Sequence, residues 1–170
     1  VHSKACYAQG EMPLFSDKEG ETEDLDLAAE DKAGLSVTQH SLTIGGEVIN
    51  YTATAGTLTM AAEDGREKAH VFFIAYTKDS DGIDSSDRPI TFAFNGGPGS
   101  SSVWLHLGAF GPRRVLMGDD EGMAPVPPYE LVENEYSLLD LTDIVFIDPV
   151  TTGYSRSAPG ENPNQFHGVK

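Results

Sequence analysis

A strand that runs straight into a glycine-rich turn and then into a helix start constrains this chain more than any other feature. The stretch is PITFAFNGGPGSSSVWLHLGAFGPRRV, from Pro89 to Val115. The run from Ile90 to Phe94 is short and rich in β-branched and aromatic residues, which predicts a buried strand. Asn95 ends it. Gly96, Gly97 and Gly99 allow a tight turn and a close backbone approach that a Cβ would resist, and Pro98 stiffens the loop. Ser100, Ser101 and Ser102 then offer N-cap oxygens to a helix expected from near Val103 to Leu107. Such a junction gathers unpaired backbone N–H groups beside the positive end of a helix dipole, where developing negative charge is favoured. That is the geometry of an oxyanion hole, although a plain βα turn in any α/β protein can carry the same glycines.

The neighbouring segments decide between the two. Downstream of the loop stand Gly111-Pro112-Arg113-Arg114-Val115, then Asn134-Glu135-Tyr136-Ser137, then DIVFIDPVTTGYS from Asp143 to Ser155. With Asn95-Gly96-Gly97-Pro98-Gly99-Ser100-Ser101, these strings resemble the serine carboxypeptidase family, peptidase family S10, in its bacterial form. The resemblance runs roughly from Val37 to Lys170. It implies an α/β fold, the N-terminal part of an α/β-hydrolase in which antiparallel hairpin strands lead into a mostly parallel central sheet. By the same resemblance the activity is a serine-type carboxypeptidase that removes C-terminal residues from peptides through an acyl-enzyme. Gly97 would donate its backbone N–H to the tetrahedral oxyanion. The Asn95 side-chain amide would bind the terminal carboxylate of the peptide substrate, with Gly96 giving close backbone access. Neither a cofactor nor a metal is expected.

Two positions depart from the pattern of many members. Ser100 replaces a cysteine that forms a family disulfide, so loop rigidity is expected to come from packing. Ala109 stands where an acidic residue often precedes Leu-Gly-Pro, which weakens the expected carboxylate-sharing network. The nucleophile, acid and base of the family lie beyond the position matching Lys170, so the chain reads as an N-terminal fragment that is inactive alone. No Gly-x-Ser-x-Gly occurs in it: Gly99-Ser100-Ser101-Ser102-Val103 and Gly153-Tyr154-Ser155-Arg156-Ser157 both lack the closing glycine. Ser100 and Ser155 therefore read as cap and turn residues. Of the five histidines, only His106 is expected near the site, as a packed side chain on the helix face. Two other functional readings stay open, an acyltransferase or esterase on the same scaffold and a non-catalytic binding domain if the natural chain ends near Lys170.

Composition narrows the partners. A formal net charge of -16 opposes nucleic acid and anionic membrane surfaces, and 39% hydrophobic residues suffice for one packed core. Acid is concentrated early, in SDKEGETEDLDLAAED, so residues 1–36 read as an acidic, solvated arm and residues 37–170 as the hydrolase-like portion. Cys6 is the single cysteine, which rules out an intrachain disulfide. Cys6 and Ala8 form a small-x-small pattern that matches the tail of a secretory signal peptide, the basis for expecting a periplasmic or secreted protein; an arbitrary boundary explains it equally. No apolar run approaches the roughly 20 residues that span a bilayer.

Alternation around Gly45-Gly46 predicts a hairpin of two antiparallel strands, Glu63 to Gly65 a turn, and Lys68 to Thr77 a long strand. A short segment from Arg113 to Met117, a proline-rich loop through Pro125, Pro127 and Pro128, and a strand from Ile144 to Ile147 follow. Asp79, Asp81, Asp84 and Asp87 crowd one loop, but Ile90 holds the place where a calcium loop needs its glutamate, so a solvated loop is expected. Asn50-Tyr51-Thr52 matches a glycosylation acceptor inside a predicted strand and carries no weight.

Overall fold

The computed structural model describes residues 34–79, 87–96, 99–118 and 127–168. Strand β1 spans Ser36–Ile44 and β2 Glu47–Ala61, joined by Gly45-Gly46 as predicted. Both glycines have positive φ, 60° and 89°, the mirror-image turn that matches strand twist and that only residues without a Cβ adopt freely. Antiparallel pairing continues from β2 into β3, Glu67–Lys78, with Ala55 opposite Ile74.

Strand β4 is Ile90–Ala93, and the helix after the glycines begins with α1, Val103–Leu105. The expected α-helix to Leu107 does not continue. His106–Phe110 winds as one π-turn instead, closed by the Gly111 N–H donating to the His106 carbonyl at 3.0 Å. The segment from Arg113 is β5, Arg113–Val115, paired with β6, Leu131–Glu133, which the sequence reading missed inside the proline-rich stretch. Strand β7 is Asp143–Ile147, and a short β8, Arg156–Ser157, returns beside β3.

The main sheet runs β1-β2-β3-β7-β4, so β7 inserts between two strands that precede it in the chain. It pairs antiparallel with β3 and parallel with β4. The mostly parallel sheet expected from the sequence is met, among the described residues, by this single pair; every other pairing, in the entry strands and of β3 with β7 and β8 and of β5 with β6, is antiparallel. Alternation along β7 buries Ile144 and Phe146 against Leu42, Ile49, Tyr51, Ala93 and Leu139. Each of the isoleucine, leucine and phenylalanine side chains among them, fully buried, contributes about 1.5–3 kcal/mol.

An ion pair sets the start of the parallel pair. Arg88 Nε donates to Asp143 Oδ1 at 3.0 Å and Arg88 Nη2 to the Leu139 carbonyl at 2.9 Å, while the Lys78 N–H reaches the same Asp143 oxygen at 3.1 Å. These contacts bring the ends of β3, β4 and β7 together, so the glycine turn that follows β4 leaves from a fixed point.

The prediction that β4 is buried needs correction. Ile90, Phe92 and Phe94 are 55, 57 and 62% exposed. Among the described residues β4 pairs only with β7, and its other edge is unpaired. An unpaired apolar edge is a template for further strand addition. The 170-residue chain is therefore expected to self-associate, and size-exclusion chromatography with light scattering should show species larger than a monomer.

Candidate functional site

The turn after β4 stands on two legs, and polar contacts hold each of them. Asn95 leaves β4, and its Nδ2 donates across the loop to Ser100 Oγ at 2.7 Å, with a longer contact of 3.4 Å to the Gly96 carbonyl. Ser100 thus accepts a hydrogen bond from the other leg of the loop. Packing alone was expected to stiffen this loop, but a cross-loop hydrogen bond does part of it. Gly97 and Pro98 lie outside the described residues.

The second leg enters the helix at Ser102. Its hydroxyl was expected to cap the helix, yet it makes no cap bond and donates instead to the Ile147 carbonyl at the end of β7. The Ser102 N–H donates to Asp148 Oδ1 at 2.9 Å. Because α1 is one short turn that continues as a π-turn, the helix dipole at this leg is far weaker than a full helix would supply. Hydrogen bonding and close packing are what locate this leg.

Past β7 the chain turns through Asp148 to Ser155 and comes back as β8. Asp148 is 7% exposed, and its second oxygen accepts the Tyr154 N–H at 3.0 Å. Gly153 has φ of 47°, and a Cβ there would collide with the Asp148 carboxylate. The glycine is required twice over, by its conformation and by the space the carboxylate fills. Ser155 is fully buried; its hydroxyl donates to the Asp148 carbonyl at 2.7 Å and accepts the Phe72 N–H at 2.8 Å. Phe72 faces the gap where β3 changes partner from β7 to β8, so without Ser155 its N–H would lack a sheet partner. The reading of Ser155 as a turn residue holds, with this reason for it.

His106 packs as expected, between the rings of Tyr76 and Phe146 at centroid distances of 5.5 and 4.8 Å. Its Nε2 shares a 2.6 Å hydrogen bond with the Tyr76 hydroxyl. Burial lowers the His106 pKa to about 4, against a smaller opposing pull from Asp148, and burial likewise raises that of Tyr76. The imidazole is therefore neutral at ordinary pH, suited to packing rather than to proton transfer near neutrality.

The motif after β6 fastens the far end of this helix. Asn134 is 1% exposed, and its Nδ2 donates to the carbonyls of Ala109 and Gly111, both at 2.8 Å. Ser137 Oγ donates to the Phe110 carbonyl at 2.9 Å. Three consecutive carbonyls at the close of the π-turn are thus satisfied by two side chains of the Asn-x-Tyr-Ser string.

Two clefts flank the loop. One of about 260 Å³ is lined by Ser101, Ser102, His106, Phe146, Asp148 and Tyr154. The other, about 420 Å³, brings Asn95 and Gly99 beside Thr151, Thr152, Phe166 and His167. Thr151 has φ of 77°, a left-handed conformation that costs a β-branched residue about 1–3 kcal/mol, and its hydroxyl shares a 2.7 Å hydrogen bond with His167 Nε2. Asn95 and Gly99 therefore open onto a cleft roomy enough for a small side chain or chain end, and Gly96 is not among the residues that line it. Of the crowded aspartates, Asp79 accepts a hydrogen bond from the Thr52 hydroxyl at 2.8 Å, and Asp81 and Asp84 lie outside the described residues. The roles of Asp148, Gly153 and Asn134 were missed: each sits in a string read as a motif, but the contact that explains it joins segments distant in the chain.

The described residues thus form a mixed sheet whose one parallel pair leads into a glycine loop, with that loop pinned to the turn after the inserted strand. Residues 46–167 match the family described as serine carboxypeptidase, peptidase S10, and the chain belongs to that family. The family implies the α/β-hydrolase fold and peptide substrates. No curated protein matches the chain.

Proposed function

We propose that this chain contributes the oxyanion and substrate-carboxylate loop of a serine carboxypeptidase that releases C-terminal residues through an acyl-enzyme. Family membership supports the reaction class, and the observation that carries the site is the position of Asn95, rooted at the end of β4 and opening onto the 420 Å³ cleft. Asn95 Nδ2 holds Ser100 through one hydrogen, and its second contact, to the Gly96 carbonyl, is long. That second hydrogen is available for a peptide's terminal carboxylate, a charge-assisted bond stronger than the contact it replaces. Gly97 is proposed as the backbone oxyanion donor; loss of a comparable donor costs about 2.7–4 kcal/mol. Residues 1–36 are proposed as an acidic arm and residues 37–170 as the hydrolase portion.

In the intact enzyme, Asn95→Ala should raise KM for peptides with a free C-terminal carboxylate about tenfold more than for the matching C-terminal amides. Steady-state kinetics on paired substrates checks this. Equal effects on both would remove Asn95 from carboxylate recognition.

A further inference from the structure

Asp148 is a buried carboxylate whose oxygens are both committed to backbone N–H groups of different segments. Oδ1 takes the N–H of Ser102, the residue through which the glycine loop enters its helix, and Oδ2 takes the N–H of Tyr154, across the turn that leads to β8. Its own backbone is fixed as well: the Asp148 N–H donates to the Phe72 carbonyl at 3.1 Å, and its carbonyl accepts Ser155 Oγ at 2.7 Å. Ser102 is further tied by its hydroxyl to the Ile147 carbonyl. A side chain seated this way transmits the position of β7 to the glycine loop. The adjacent Gly153 leaves the space its carboxylate occupies, so carboxylate and glycine form one device.

We infer that Asp148 is a positioning residue for the reaction: it sets the placement of the glycine loop, and hence of the loop's backbone donors, by gripping the Ser102 N–H. The inference rests on the carboxypeptidase reading of the loop but needs only acyl transfer, whichever substrate supplies the acyl group. Asparagine at this position keeps the shape and replaces one acceptor with an NH2 group that faces a backbone N–H. One of the two anchors is lost. A loop displaced by a fraction of an ångström stabilises the transition state less while substrate binding elsewhere is unchanged.

The test uses the intact enzyme with an N-acyl dipeptide and the corresponding N-acyl amino-acid ester, rates being normalised to sites titrated with an irreversible serine reagent. Asp148→Asn should lower kcat about 10–100-fold on both substrates with KM within about threefold, and should weaken a peptide-aldehyde transition-state analogue in parallel. A role confined to folding predicts fewer titratable sites with normal kcat per site, and that result overturns the inference. If Asp148→Asn does not fold, Gly153→Ala carries the same test by pushing the carboxylate off Ser102. Amide exchange in the unaltered enzyme should show protected N–H groups at Ser102 and Tyr154, and free exchange at both also overturns it. An enzyme that cleaves the ester but not the free-carboxylate dipeptide ends the carboxypeptidase reading and leaves the Asp148 measurement standing on the ester.

Discussion

Asn134→Ala is expected to destabilise the intact protein by about 4 kcal/mol, measured by urea or guanidinium unfolding. The side chain gives up two donor contacts at 2.8 Å and an acceptor contact to the Tyr136 N–H at 3.2 Å. Net hydrogen bonds are worth about 0.5–1.5 kcal/mol each, but a partner left buried and unsatisfied costs about 1–3 kcal/mol. Here the Ala109 and Gly111 carbonyls lose that donor, at the place where the π-turn hands the chain to β5. Asn134→Asp should be at least as damaging, since it sets a carboxylate against two carbonyl oxygens. Asn134→Ala within about 1 kcal/mol of the unaltered protein would mean that water replaces the amide at little cost.

The second large effect follows from His106. Its pKa in the folded protein, about 4, lies below the ordinary value of 6.5, so between these pH values the unfolded chain binds more protons than the folded one. Stability contributed by the neutral imidazole is therefore complete above about pH 6.5, is lost as pH falls, and stops changing below about pH 4. The facing groups are Tyr76 on β3, Phe146 on β7 and Asp148 at the end of β7; of these only Asp148 favours the charged ring, and burial outweighs it. Unfolding free energies of the protein and of His106→Gln, compared from pH 7 to pH 4, should diverge by about 2–3 kcal/mol. Parallel curves would show that the ring titrates as if exposed.

Local signals in the sequence were strong where structure is local. Gly45-Gly46 and the alternation around it specified the hairpin of β1 and β2, and apolar runs marked β3 and β7. The glycine loop was legible as a candidate site because its residues are contiguous. What escaped were features fixed by partners far along the chain. Strand β6 is three residues in a stretch rich in proline, and only its pairing with β5 makes it a strand. The burial of β4 was overestimated because apolar composition shows that a strand can be covered, not that a neighbour covers it. Ser102 looked like a helix cap by type and place, but the Ile147 carbonyl and the Asp148 carboxylate compete for it from 45 and 46 residues away. The π-turn has no composition signature here; Asn134 and Ser137 hold the carbonyls at its close.

The insertion of β7 between β3 and β4 also sets an order of assembly. The ribosome makes β1, β2 and β3 as neighbours, so this meander can close as soon as it emerges. Strand β4 cannot join it, because the place beside β3 belongs to a strand made roughly 50 residues later. At about 5–20 residues per second, the glycine loop is exposed for several seconds before it has a sheet to stand on. A nascent chain at that stage carries an apolar strand and no partner for it, the interval in which a chaperone would do most for this protein.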